Sequence, residues 1–265
     1  MELDIYQVDS FTCQPFKGNP AGVCITQEPL EESVMYSIAE EMAVSETAFL
    51  TLSNMQLRWF TPKVEVVLCG HGTLAVAHIL QQKGKLSVGE SISFNTLSGL
   101  LTAKVNESCI ELDFPIASLS CYEVCSSQLF EALGLNLNQV NAVKQFDEKV
   151  LIHVSDSEVL CQLSPNFDAL KQLEGRGVVV TAQSKNTGTD FVSRYFAPWV
   201  GVSEDPVTGS AHCALAVYWQ QELGKSDFYA YQASSRGGYV GVKVEGNRVK
   251  LSGTARTTIS GILHL

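Results

Sequence analysis

The side chains able to move a proton in this chain stand in three short strings. Glu46 lies in VSETAF, between Ser45 and Thr47 and ahead of an apolar run. In a partly dry site such a carboxylate has its pKa raised, which suits a group that takes and returns a proton near neutral pH. Local sequence alone favours a capping-box or solvated turn acid. His71, in CGHGT at 69–73, is placed to donate to an anionic substrate or to relay a proton. Asp205, in SEDPVTGS, is set by Pro206 just before a second glycine string, TGSAH at 208–212. It can bind a substrate amine or hydroxyl, or hold a neighbouring donor in register, although Asp-Pro also forms ordinary turns. Ser210 occupies in the second string the place of His71 in the first, with a helix N-cap as its structural alternative.

Gly70 and Gly72 in the first string, and Thr208 and Gly209 in the second, read as the openings of two buried helices. Such openings aim backbone N–H groups and the positive helix end outward. Facing one cleft, they would hold a carboxylate or a developing enolate without a metal, each donor contributing about 2.7–4 kcal/mol to a transition state. Taken singly, they are ordinary glycine turns. Cys69 would make a nucleophile or base if activated by the helix terminus. Position 208 is Thr, however, so the pair of thiols that a two-thiol racemase needs is missing.

The elements that must carry these residues come in two similar sets. RWFTP at 58–62 and RYFAP at 194–198 are spaced by 136 residues (194 − 58), and each runs on through a valine-bearing segment to a glycine string. Beyond that the spacing becomes 139, pairing Gly70 with Gly209, Ala75 with Ala214, Gly99 with Gly238 and Leu112 with Leu251. One register held from strand through helix to distant strands indicates a duplication. Leu57–Phe60, Val64–Leu68, Ser91–Phe94, Leu100–Val105 and Cys109–Phe114 read as strands. Thr73–Leu80 and Ala211–Trp219 are apolar on nearly every face, the pattern of a helix surrounded by strands. Leu30–Met42 reads as an outer amphipathic helix, with another near Ser127–Leu133. The expected fold is therefore mixed α/β: two pseudo-symmetric domains, 1–115 and 116–265, each a curled, mostly antiparallel sheet around a central helix. The join falls near Phe114–Ser120, with the final strand free to cross back to the first domain.

Bulk properties narrow the partners. With 265 residues, 45% apolar and 17% charged, the chain has material for two cores. A net charge of −10 and scattered Lys and Arg argue against nucleic acid. The start at Met1, Glu2 and Asp4 is unlike a secretory signal, and no apolar run reaches membrane-span length. A cytoplasmic protein with no membrane partner is expected. The eight Cys are dispersed, and the closest pair, Cys121 and Cys125, has no His neighbour. No metal is expected, and most of the cysteines read as small buried hydrophobes. His78 and His212 read as helix residues facing the core or an interface, without chemistry.

VDSFTCQPFKGNPAGV, EMAVSETAFL, RWFTPKVEVVLCGHGTLA and SEDPVTGSAH, in this order, closely resemble the PhzF-like (phenazine biosynthesis protein PhzF) family of the diaminopimelate-epimerase superfold. The match spans essentially the whole chain and is weakest between about Ser118 and Val178. The resemblance implies two α/β lobes with the site between them, usually in a homodimer, and no cofactor. In the phenazine-pathway member a glutamate moves a proton between ring carbons of a dihydro-hydroxyanthranilate. That glutamate matches Glu46, and its helpers match His71, Asp205 and Ser210. Gly70 and Gly209 supply backbone donors on the same analogy, and Asn19 in KGNP lines the cleft in related folds. The phenazine enzyme has a small apolar residue where this chain has Cys69, a departure that points away from the phenazine substrate. The implied activity is an isomerase shifting a proton on a small carboxylate through an enol or enolate. The alternatives are a racemase or epimerase of an amino or hydroxy acid, an inactive binding or scaffold protein, and a cysteine hydrolase using Cys69.

Overall fold

A computed structural model describes residues 2–122 and 127–265. The chain divides into two compact units, Met1–Phe114 with Lys250–Leu265, and Pro115–Val249. The first contains β1 (Glu2–Ser10), β2 (Asn19–Thr26), α1 (Glu32–Met42), β3 (Glu46–Thr51), β4 (Gln56–Phe60), β5 (Glu65–Val66), α2 (Gly70–Gln82), β6 (Ser91–Thr96), β7 (Gly99–Val105) and β8 (Ile110–Pro115). The chain continues with β9 (Ser120–Cys121), α3 (Ser127–Leu133), β10 (Val140–Phe146), β11 (Lys149–Val154), α4 (Ser157–Gln162), α5 (Phe167–Lys171), β12 (Gly177–Gln183), β13 (Phe191–Ala197), β14 (Val202–Asp205), α6 (Gly209–Leu223), β15 (Asp227–Gln232) and β16 (Gly238–Glu245). It then returns to the first unit through β17 (Arg248–Gly253) and β18 (Ala255–His264). Strand β18 pairs antiparallel with β1 from Ser10↔Ala255 to Glu2↔His264, which ties residues 255–264 to the first unit.

Strand pairing exposes the duplication. In the first unit β1–β2 is antiparallel, β2–β3 parallel, β3–β4 and β4–β5 antiparallel, β4–β6 parallel and β6–β7 antiparallel. In the second, β10–β11, β11–β12, β12–β13, β13–β14, β13–β15 and β15–β16 repeat those senses in the same order. Side chains repeat as well. Arg58 holds Glu65 through Nε and Nη2 at 2.7 and 2.6 Å and lies over the Phe60 ring. Arg194 holds Glu204 at 2.7 and 3.0 Å and lies over Phe196. Thr73 returns its hydroxyl to the Cys69 carbonyl at 2.7 Å, and His212, at the equivalent place, donates Nδ1–H to the Thr208 carbonyl at 2.8 Å.

Each unit wraps strands round an apolar helix. In α2, His71 to Ala77, Ile79 and Leu80 are all buried, and in α6, Ala211 to Ala216, Tyr218 and Trp219 are. With apolar side chains on every face, neither helix could rest stably on a one-sided surface. Helix α1 instead buries only Met35, Ile38 and Ala39, against Phe49, Phe60, Leu3 and Ile5. Phe191 stacks on Trp219 at 5.6 Å in the second unit, anchoring α6 to β13.

Two expectations change. The valine-rich stretch 64–68 is not a five-residue strand, since only Glu65–Val66 pair. A tight turn, in which Thr61 N–H donates to the Val64 carbonyl and Val64 N–H to the Thr61 hydroxyl, uses the bonds a longer ladder would need. Val64 and Val67 consequently stay exposed. The cysteines are not mostly buried either. Cys24, Cys69 and Cys213 are buried, Cys109 is half-buried, and Cys13, Cys121 and Cys161 are exposed. Cys125, the neighbour of Cys121 in sequence, lies outside the described residues. No helix among the described residues is long and apolar enough to cross a membrane.

Candidate active site

In the first unit the chain brings Glu46, His71, Cys69 and Asn19 together. Helix α1 ends at Ala43 in the left-handed conformation, φ 51°, and this sharp exit delivers Glu46 as the first residue of β3. Strand β3 runs parallel to β2 with Glu46 beside Ala21, two residues beyond Asn19. From the other side, Cys69 is the N-cap of α2 and accepts the Gly72 N–H at 3.4 Å. His71 is thus the second residue of the helix, and it is buried.

His71 Nε2 meets Glu46 Oε2 at 3.3 Å, while Nδ1 lies 3.3 Å from Asn19 Nδ2. The Asn19 amide donates to Nδ1 of a neutral ring in one orientation and accepts from an imidazolium in the other. Ser10 Oγ donates to the His71 carbonyl at 2.8 Å and fixes the helix start. The loop leading to Asn19 is tied back by Phe16 N–H on the buried Asp9 carboxylate at 2.7 Å, with Phe11 and Phe16 both at positive φ. Gly72 is required by packing. A Cβ there would fall 2.9 Å from Trp59 Cδ1 and 3.0 Å from Cys69 Sγ.

The Glu46 carboxyl is not raised, as a dry setting alone predicts, but lowered. Burial favours its neutral form, yet the hydrogen bond and charge of His71 outweigh that. His71 moves the other way. Burial disfavours its charge, but the Cys69 sulfur and the Glu46 carboxylate beside it hold the imidazole well above its ordinary pKa. For Cys69, burial and the nearby Glu46 charge raise the thiol pKa against the pull of His71. The resting pair is therefore carboxylate and imidazolium beside a neutral thiol, so Cys69 is no ready nucleophile. The Glu46 side chain keeps 20% of its surface exposed against 7% for His71, so solvent reaches the dyad from the carboxylate side.

The second unit holds Asp205, Thr208, Gly209 and Ser210. Thr208, not Ser210, is the N-cap of α6, and it makes no side-chain cap bond. Its hydroxyl instead donates to Asp205 Oδ2 at 2.5 Å. Ser210 is the second helical residue and is half-buried. A buried glutamine, Gln232, fastens this turn at both ends. Its Oε1 accepts Thr208 N–H at 2.9 Å, and its Nε2 donates to the Asp205 carbonyl at 2.7 Å. Sequence reasoning missed Gln232, because it lies 24 residues beyond Thr208 in a strand whose alternation makes it simply one more inward-facing position. Ser10 and Trp59 escaped likewise, although Ser10 stands in the VDSF string and Trp59 in RWF.

A small polar cluster stands at the start of a largely buried helix on a duplicated α/β fold, and the chain's relatives on that fold are isomerases by name. A predicted epimerase from Pseudomonas aeruginosa has this fold, with TM-score 0.79 at 20% identity over 98% of this chain and 99% of that one. The phenazine biosynthesis-like protein family model (PhzC-PhzF) matches residues 8–261, and the chain belongs to that family. An uncharacterized isomerase of Halalkalibacterium halodurans is 47% identical over the full length of both chains. The crystal structure of a phenazine biosynthesis protein PhzF family member from Enterococcus faecalis superposes with TM-score 0.92 at 39% identity, covering all of both chains.

Proposed function

We propose that the protein is a cofactor-independent isomerase that shifts a proton on a small carboxylate through an enol or enolate, with Glu46 as general acid/base. The observation that carries this reading is the Glu46–His71 pair at 3.3 Å, buried on the histidine side and open on the carboxylate side. Glu46 rests ionised and can accept a proton from an acidic C–H. A lowered pKa makes it a weaker base, which the imidazolium offsets by stabilising negative charge as it develops on the substrate. Once protonated, Glu46 is an acid beside a cation, a state that favours prompt return of the proton to the same or a conjugated carbon. Asp205 and Ser210 take the substrate-orienting roles that the family resemblance implies, with Gly70 and Gly209 as backbone donors. A homodimer acting in the cytoplasm, without nucleic-acid or membrane partners, belongs to the same proposal.

The test is incubation of the enzyme in heavy water with a fractionated metabolite extract, reading by mass which carboxylate gains a deuteron. An isomerised product carrying one deuteron supports the shift. Return of an inverted but unshifted substrate favours the epimerase alternative. Absence of exchange from every extract in which binding is detected favours the binding-protein alternative.

A further inference from the structure

The duplication puts different chemistry at the same place in the two units. Thr47 pairs with Phe60 and Val178 with Phe196, so Gly177, the first residue of β12, stands where Glu46 stands in β3. The partner of Glu46 on β2 is Ala21, whereas that of Gly177 on β11 is Lys149. The space that a Cβ on Gly177 would take is filled by the hydroxyl of Tyr195, a residue of β13 paired with Val179. Cα partners on paired strands send their side chains to one face, and successive residues along a strand alternate. Lys149, Gly177, Val179 and Tyr195 therefore share a face, the one on which Thr181 receives the Trp219 Nε1–H of α6 at 3.0 Å. Val150 and Val178 turn the other way, into the core under α3, α4 and α5.

Both polar groups are buried and short of partners. The Lys149 side chain keeps 14% of its surface exposed, and its ion-pair partner, Asp147 Oδ2, lies 3.9 Å away on a residue that is itself exposed. Among the described residues the Lys149 ammonium makes no hydrogen bond, and its Nζ stands 5.4 Å from the Phe146 ring centre. Tyr195 is 6% exposed, and among the described residues its hydroxyl also has no hydrogen-bond partner. Burying an ammonium or a phenol without an acceptor is costly, and a ligand that accepts from both removes the cost. We propose that Lys149 and Tyr195 are the anion-binding pair of the second unit and take a small carboxylate, one oxygen each.

The electrostatics fit such a ligand. Burial lowers the Lys149 pKa and Arg176 adds to the fall, while Asp147, Cys213 and Glu148 oppose it; an anion seated on Nζ reverses the balance. Burial and the charge of Asp205, which is the partner of Tyr195 on β14, keep the phenol protonated and therefore a donor. The Asp205 and Asp147 carboxylates repel a dianionic phosphate more than a monoanion, which selects the carboxylate. That this carboxylate belongs to the substrate rests on the isomerase reading, whereas the anion site itself does not.

The experiment follows the lysine carbon-13 Cε signals of the full chain by NMR during titration with acetate, with acetamide as the neutral analogue. The Lys149 signal is the one that disappears in Lys149→Met, a variant expected to fold because it removes a buried charge that has no hydrogen bond. Acetate is expected to raise the titration midpoint of Lys149, and acetamide to leave it unchanged. Tyr195→Phe keeps the ring and is expected to weaken acetate binding roughly tenfold or more, the scale of one hydrogen bond to a charged group. A Lys149 signal that ignores acetate, one that answers acetamide equally, or undiminished acetate affinity in Tyr195→Phe overturns the pair. With the substrate found by deuterium exchange, Lys149→Met is expected to raise KM roughly tenfold or more and to change kcat less; an unchanged KM removes the substrate's carboxylate from this site. If acetate binds at Lys149 while no compound exchanges deuterium, the isomerase reading falls and the anion site stands.

Discussion

Glu46→Gln replaces the anion facing a buried imidazole with a neutral amide of the same shape, and its consequences can be followed without a substrate. Unit charges 3.3 Å apart attract by about 5 kcal/mol at an effective dielectric of about 20. Removing both groups from water offsets most of that, leaving a net contribution of about 1.5–3 kcal/mol, the scale of a hydrogen bond to a charged group. Its pH dependence follows from the two shifts. The raised His71 pKa contributes stability fully below the ordinary value of 6.5 and loses it as pH rises toward the folded value. The lowered Glu46 pKa contributes fully above 4.5 and loses it as pH falls toward the folded value. The stability gap between wild type and Glu46→Gln is therefore widest between pH 4.5 and 6.5 and narrows on either side. For a chain of this length it corresponds to a fall in Tm of roughly 3–12 °C. Thermal denaturation of both proteins across the pH range measures the gap, and ring NMR of His71 reads its titration directly. A His71 that titrates at the same pH in both proteins, or a gap that keeps widening into alkaline solution, refutes the ion pair.

Native-state alkylation near neutral pH, mapped by mass spectrometry, is expected to modify Cys13, Cys121 and Cys161 and to spare Cys69, whose thiol is buried and raised. Prompt labelling of Cys69 would instead favour the cysteine-hydrolase reading. Gln232→Ala removes both ends of the clamp on the Asp205–Thr208 turn and is expected to destabilise the fold by about 1–3 kcal/mol in urea denaturation, with Gln232→Glu restoring only the Thr208 contact. Gly72→Ala forces a methyl against Trp59 and Cys69 and is expected to cost about 1–3 kcal/mol, seen as a lower urea midpoint and a changed Trp fluorescence.

The fold was legible because the duplication left marks at several levels. The Arg-aromatic-Phe strings, the apolar helices and the glycine openings recur in one register, and paired contacts such as Arg58–Glu65 and Arg194–Glu204 follow from it. Valine content misled at 64–68 because β-propensity describes a fit to a half-buried surface, while here the chain spends those residues on a turn and an approach to the Cys69 cap. Glu46 and His71 were each singled out, but not as a pair. Their contact depends on the parallel register of β2 and β3 and on how deeply α2 is sunk, neither of which has a local signature. The sign of the Glu46 shift was lost for the same reason, since burial alone raises a carboxyl and the neighbouring imidazolium, with a smaller contribution from Ser45, reverses it. Gln232 carried no signal because its importance lies in what it touches.

In the proposed reaction the carboxylate of Glu46 carries the migrating proton. The most direct measurement compares wild type with Glu46→Gln for the initial rate at which the identified substrate takes up solvent deuterium. The variant, folded by circular dichroism, is expected to lose about 10²–10⁴-fold or more of that rate. A folded variant exchanging deuterium at the wild-type rate would contradict that role of Glu46.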